Sequence, residues 1–175
     1  DNVAASVLGG FTIVRREGDV PVAVRLDPPP NLEVALALPQ IETPKNKTAA
    51  ARAVLPSSVP FRDAISNIQN AASLVAGFHL GDVEMIGRGM TDMLVEPFRK
   101  KLIPGYDSVK KAALDAGAVG VAISGAGPGV IAIVDSNRTL TRDVAKAMSE
   151  AFQDEGIENK TYCSKPSLRG TEIII

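Results

Sequence analysis

The sequence predicts an α+β fold, and three observations carry that expectation. A glycine-rich turn, Ser124-Gly125-Ala126-Gly127-Pro128-Gly129, lies between two short runs of Val and Ile, which read as buried strands joined by a hairpin. The Asp27-Pro28-Pro29-Pro30 run is stiff and cannot continue a ladder, so it marks a boundary. From there onward the order is strand, helices, strand, strand, helix, strand. That order suits a ferredoxin-like α/β sandwich, an antiparallel sheet of about four or five strands with added helices over it.

Each element has a local reason. Residues 3–8 are small and apolar and read as a short helix that ends at Gly9-Gly10, and residues 11–15 then alternate like a strand. Residues 20–26 are a second strand, and 32–38 a compact apolar third. Thr43-Pro44 reads as N-cap and first residue of a helix running to about Leu55. Pro60 opens a longer helix whose Ala64, Ile65, Ile68, Ala71, Ala72, Val75 and Phe78 recur every three or four residues, which predicts a core element. Asp82 caps a helix carrying Met85, Ile86, Met90, Met93 and Leu94, a packing stripe. Residues 96–104, bracketed by Pro97 and Pro104, read as a shaped loop. Helices follow over 106–116 and 141–155, with strands over 159–163 and 170–175.

Size and charge narrow the function. With 175 residues and 45% hydrophobic side chains, the chain buries a real core. Its 19 basic and 20 acidic residues leave a net charge of −1, which argues against a nucleic-acid footprint or a polybasic membrane patch. A small molecule or another subunit is the expected partner. A single cysteine, Cys163, excludes an internal disulfide and a Cys-rich zinc framework and fits a reducing cytoplasm. Cys163 itself is expected as a small buried hydrophobe. No apolar run reaches the length of a membrane span, so a soluble protein is expected. The chain opens at Asp1 without an initiator Met, which suggests a fragment or a processed product.

The glycine turn invites comparison with phosphate-binding loops. A dinucleotide fingerprint requires a helix after its glycines, whereas here a strand follows Gly129, and no Walker A motif occurs. A ligand-contacting hairpin tip and a plain tight hairpin both remain open. Arg52, in an alanine-rich helix just past Lys45, Lys47 and Thr48, is either a bidentate clamp for carboxylate or phosphate or a solvated helical arginine. Arg99 lies in the proline-bracketed basic stretch, a setting for a side chain held in place. His79, the single histidine, reads as a helix-end residue. Asp1 and Asn2 read as a helix N-cap, or as half of a binding site.

Several words together resemble one family. Asp1-Asn2-Val3-Ala4 with Gly9-Gly10-Phe11-Thr12, Glu96-Pro97-x-Arg99 with Leu102-Ile103-Pro104-Gly105-Tyr106, and Ser124-Gly125-Ala126-Gly127-Pro128 occur in that order across nearly all of the chain. They resemble the C-terminal portion of the homoserine kinase family, within the small-molecule kinase superfamily that also holds galactokinase, mevalonate kinase and phosphomevalonate kinase. The resemblance implies phosphoryl transfer from ATP, with Mg²⁺, to the side-chain hydroxyl of L-homoserine, a step toward threonine, in a cytoplasmic enzyme and homodimer. It implies residues 1–30 as the remnant of an N-terminal α+β, ATP-binding domain and 31–175 as the C-terminal kinase domain. It places Asp1, Asn2, Arg52, Arg99 and Gly125 at the amino acid, with Asp1 as a base or as an orienting group. It places Ser124, Gly125, Ala126 and Gly127 beside the nucleotide. The family's phosphate loop and its magnesium carboxylate are expected upstream of Asp1, so the chain alone is expected to be inactive, with no metal ligand of its own. Two rivals stand beside this reading: a sibling kinase of another small alcohol, of the mevalonate type, and a noncatalytic ligand-binding or dimerisation module.

Overall fold

The computed structural model describes residues 2–173. A short helix α1 (Asn2–Leu8) leads into an antiparallel hairpin of β1 (Phe11–Glu17) and β2 (Val20–Leu26). After the proline run come β3 (Leu32–Pro39) and the helices α2 (Lys47–Ala53), α3 (Phe61–Leu80), α4 (Val83–Gly89) and α5 (Glu96–Arg99). A 3₁₀ turn (Lys100–Leu102) then precedes α6 (Tyr106–Asp115), β4 (Gly120–Ile123), β5 (Val130–Asp135), α7 (Thr141–Asp154) and β6 (Asn159–Ser164). The four later strands form one antiparallel sheet in the order β4-β5-β3-β6. This is the ferredoxin-like arrangement that the element order predicts.

Strand alternation sends the two sides of β3 and β5 to two helix layers. On one face Ala35, Ala37, Val130, Ala132 and Val134 are fully buried against Val109 and Ala113 of α6 and Val144, Met148 and Phe152 of α7. Three alanines on this face let the helices sit close to the sheet. On the other face Leu32 and Ile133 meet Val83 and Ile86 of α4, with Leu74 and Phe78 of α3 packed alongside. Here the contact is backbone on backbone: a Cβ at Gly87 would stand 2.1 Å from the Val119 carbonyl oxygen. No side chain fits that gap.

The β1–β2 ribbon is a separate two-stranded sheet, a unit of marginal stability alone. It is tied to the rest by Phe11, stacked on Phe78 of α3 with ring centroids 4.0 Å apart, and by the C-terminal segment. Gly10 N–H donates to the Ser167 carbonyl (2.7 Å) and Thr171 N–H to the Val7 carbonyl (3.2 Å), while Arg25 donates to the Leu168 carbonyl (2.8 Å).

Several expectations are corrected. Helix α2 starts at Lys47, not at Thr43-Pro44, because the Asn46 side chain accepts from Ala49 N–H and caps it there. Helix α4 ends at Gly89, so Met93 and Leu94 lie beyond it. Residues 96–102 are helical rather than a loop. The α3 stripe is only partly core: Leu74, Gly77 and Phe78 face α4, while Phe61 and Ile68 stay 81% and 65% exposed. Residues 170–173 form no strand, since they run beside α1, and Ile174 and Ile175 lie outside the described residues. Cys163 is exposed because β6 is an edge strand. Among the described residues no helix is long and apolar enough to cross a membrane.

Two measurements probe this packing. Gly87→Ala forces α4 off β4 and lowers stability by about 2–3 kcal/mol in urea unfolding; an unchanged midpoint would show that the contact is not close. The Thr141 hydroxyl donates to Glu33 and, with burial partly opposing and Lys165 assisting, holds its carboxyl below the usual glutamate value. That contribution is present above the ordinary pKa and is lost as pH falls through the lowered one. Thr141→Val therefore flattens the loss of stability below about pH 5, read from unfolding midpoints across an acid series.

Candidate active site

The turn between β4 and β5 closes on itself through Ser124 N–H to the Gly129 carbonyl (2.7 Å) and Gly127 N–H to the Ser124 carbonyl (3.0 Å). Gly125 and Gly127 have φ of +59° and +81°, a backbone that L side chains rarely adopt. A Cβ at Gly127 would meet Ile103 at 3.2 Å, whereas the space at Gly125 is open. The amides of Gly125 and Ala126 take no part in the turn's own bonds. The tip therefore presents two N–H donors and bare backbone.

Two cations approach this turn from different elements. Arg99, at the end of α5, donates from Nε to the Ala51 carbonyl (3.0 Å) and from Nη1 to the Gly125 carbonyl (3.4 Å). Lys47, at the start of α2, donates from Nζ to the Gly127 carbonyl (3.4 Å). Each lines its own cavity. One, of about 180 Å³, is walled by Asp92, Val95, Glu96, Arg99, Ala122, Ile123 and Gly125. The other, of about 200 Å³, is mostly apolar, with Lys47, Ile103, Ala126, Gly127 and Pro128 among its walls.

Local sequence explains how Arg99 is held. The Asp92 carboxylate accepts from the Leu94, Val95 and Glu96 amides (2.8, 3.0 and 2.9 Å), which satisfies donors that a helix start leaves free. This cap makes a helix of residues that their prolines alone suggest as a loop. Glu96 bonds Lys110 of α6 through Oε1 (2.5 Å), with side-chain exposures of only 13% and 26%. Its Oε2 and the hydroxyl of Tyr106 are both buried, and the two side chains adjoin. Burial, then the adjoining Glu96 carboxylate, pushes the Tyr106 hydroxyl well above a tyrosine's ordinary pKa, so it stays neutral.

The residues that sequence reasoning singles out fall in different places. Arg99 and Gly125 share the smaller cavity. Ala126 and Gly127 line the other, and Ser124 anchors the turn's base. Arg52 is exposed in the last turn of α2, lines neither cavity and makes no side-chain bond among the described residues; the carbonyl of Ala51 beside it holds Arg99. Asn2 opens α1, and Asp1 lies outside the described residues. Sequence reasoning gives no role to Lys47, Asp92 or Glu96. The one available signal is the three-residue spacing of Glu96 and Arg99, which puts both on one helical face. A larger recess of about 370 Å³ opens at Glu84, Asp135, Arg138 and Thr139, but Arg138 pairs with Glu84 and Asp135 accepts from Asn31, so these groups are already engaged within the protein. Among the described residues no cluster of three or more His, Cys, Asp or Glu side chains is placed to hold a metal.

The sheet β4-β5-β3-β6 thus carries a glycine turn flanked by Arg99 and Lys47. Residues 71–168 match the family model described as GHMP kinases C terminal, and the chain belongs to that family. It is 42% identical over 165 residues to the homoserine kinase of Pyrococcus abyssi, covering 94% of this chain and 53% of that one. It is 38% identical over 174 residues to the homoserine kinase of Halorubrum lacusprofundi, covering 99% and 55%. The crystal structure of homoserine kinase from Cytophaga hutchinsonii superposes with a TM-score of 0.89 at 38% identity, covering 98% of this chain and 53% of that one. The chain thus spans about half the length of the curated relatives it matches.

The Asp92 cap is testable by itself. Asp92→Ala removes acceptors from three amides, costs about 1–2 kcal/mol, and speeds hydrogen exchange at Glu96 N–H; unchanged exchange there would show that α5 is held by something else.

Proposed function

We propose that this chain is the acceptor-binding, C-terminal part of an ATP-dependent kinase that phosphorylates the side-chain hydroxyl of L-homoserine to O-phospho-L-homoserine, a step toward threonine. One observation carries the reading. Homoserine kinases match almost the whole chain at about 40% identity, and Arg99 and Gly125, from two separate matching motifs, wall one cavity.

The residues present have the right chemistry for such an acceptor. Homoserine carries a carboxylate and an ammonium. The Arg99 guanidinium, fixed through Nε and Nη1, keeps Nη2 free among the described residues to take the carboxylate. We assign Arg52 to the same carboxylate through a small movement of α2, and Asp1 and Asn2 to the reacting hydroxyl and the ammonium. The turn fits a phosphate-bearing ligand in that its Gly125 and Ala126 amides are free among the described residues, and no side chain stands at Gly125. Ser124, Gly125, Ala126 and Gly127 would hold the phosphate side of ATP there, with Lys47 as a nearby cation. Bound ATP supplies the γ-phosphoryl group. Phosphoryl transfer needs chiefly positioning and neutralised charge, which Arg99, Lys47 and the turn amides contribute from this half. Mg²⁺ finds no ligand set among the described residues.

The proposal includes residues 1–30 as the end of an ATP-binding domain and 31–175 as the kinase C-terminal domain, in a cytoplasmic homodimer. A phosphate cradle and magnesium ligands from the half that this chain does not span complete the enzyme, and the isolated chain does not turn over.

The deciding experiment measures ADP release by the full-length polypeptide with Mg-ATP and L-homoserine, mevalonate, galactose or no acceptor. Homoserine-dependent release is expected, and Arg99→Met raises the KM for homoserine about 10- to 100-fold with a smaller effect on ATP. Release with mevalonate or galactose alone, or none at all, overturns the reading.

A further inference from the structure

Helix α3 has two apolar faces, and only one of them is covered. Leu74, Gly77 and Phe78 lie against α4, so closely that a Cβ at Gly77 would stand 2.7 Å from the Ile86 amide nitrogen. On the opposite side Phe61, Ile65, Ile68, Ala72, Val75 and His79 form a second stripe. Val75 is half-buried and the other five are exposed. Apolar side chains scattered singly over a surface need no explanation, but a contiguous patch marks a contact surface.

The spacing of the stripe says what kind of partner fits. Its intervals run 4-3-4-3-4, the seam of a helix that packs on another helix rather than the broader face of one that covers a sheet. That run reads the same in both directions. An antiparallel copy of α3, related by a twofold axis level with Asn70, therefore matches it position for position. Ile68 meets the partner's Ala72, Ile65 the partner's Val75 and Phe61 the partner's His79.

Charge favours the same sense. Apart from His79, the ionisable side chains of α3 are Arg62 and Asp63, both in its first turn. Asp63 falls away from the seam, whereas Arg62 flanks it and has no ion pair among the described residues. In an antiparallel pair Arg62 reaches the C-terminal end of the partner helix, where the dipole is negative. A parallel pair would set the two Arg62 side chains against each other. Residues 1–30, read as the end of the other domain, meet α3 at Phe78 through Phe11, so that domain joins α3 away from the seam.

We propose that this seam is the contact between two copies of the chain, an isologous antiparallel pair of α3 helices on the twofold axis of a homodimer. The contact rests on the geometry of α3 and holds whatever alcohol the kinase phosphorylates. It spans about 27 Å along the helix, a small interface among stable dimers, so association depends on concentration.

The test follows the mass of the full-length polypeptide by light scattering across a dilution series. A dimer is expected. Ile68→Arg puts a charge near the centre of the seam and weakens it by more than about 100-fold, while Leu140→Arg, at an exposed apolar site outside α3, leaves it unchanged. Direction is read by disulfide cross-linking in a Cys163→Ser background, because Cys163 is exposed. Phe61→Cys mixed with His79→Cys forms a covalent dimer, and Phe61→Cys alone does not, since its two copies lie about 27 Å apart. The same cysteine variants serve if Ile68→Arg does not fold. A monomer at every concentration, a dimer unmoved by Ile68→Arg, no cross-link in the mixture or a cross-link from Phe61→Cys alone overturns the proposal. A monomer whose unfolding midpoint falls with Ile68→Arg puts the rest of the same polypeptide on the seam instead.

Discussion

The ion pair between Glu96 and Lys110 is the interaction through which the core reaches the candidate site. Lys110 belongs to α6, whose Val109 and Ala113 are fully buried on the sheet. Glu96 belongs to α5, which is four residues long and too short to be stable alone. Their contact, with both side chains largely out of solvent, couples a rigid layer to a marginal helix. Removing one member of such a pair leaves an uncompensated charge. Arg99 stands one turn further along α5, so its position at Gly125 follows from what holds Glu96. The chain of dependence runs from the alanine face of β3 and β5, through α6, to the guanidinium.

The sheet was legible because its signals are short-range. The limits of β2 and the hairpin around the glycines follow from alternation and turn chemistry, which act between neighbours in sequence. What failed depends on distant partners. Residues 170–173 carry β-branched side chains suited to a strand, yet their backbone bonds go to α1, more than 160 residues earlier. The α3 pattern is amphipathic on more than one side, and only the packing against α4 shows which side is covered. The helix at residues 96–99 depends on Asp92, whose carboxylate lies four residues before the proline-marked segment, and prolines at a first helical turn are compatible with helix as much as with loop.

The site was legible in part for the same reason. Gly125 and Arg99 stood out through their motifs, but that they meet is a consequence of Arg99 reaching both the Ala51 carbonyl of α2 and the Gly125 carbonyl after β4, which no spacing encodes. Lys47 and Glu96 look like ordinary surface charges in the sequence. Only their contacts, with the Gly127 carbonyl and with Lys110, separate them from the other charged residues. Arg52 is the reverse case, a residue suggested by sequence whose side chain is exposed and unbonded here.

The two cations at the turn differ in how firmly they are held, and that difference bears on what they can do. Both meet their turn carbonyls at 3.4 Å, longer than the usual N–H to O distance and therefore weak. A neutral carbonyl at that distance is readily exchanged for a charged oxygen, which forms a shorter and stronger bond. Arg99 has a second anchor at the Ala51 carbonyl (3.0 Å), so its fork can turn toward a ligand without losing its place. Lys47 has none and sits on an exposed stem at the first residue of α2. A pre-set fork suits an acceptor that must be oriented to within a bond angle, while a mobile ammonium suits a phosphate that needs charge more than direction. Under the proposed function, that division would put the acceptor on the Arg99 side of the turn and the transferred group on the Lys47 side, with Gly125 to Gly127 between them.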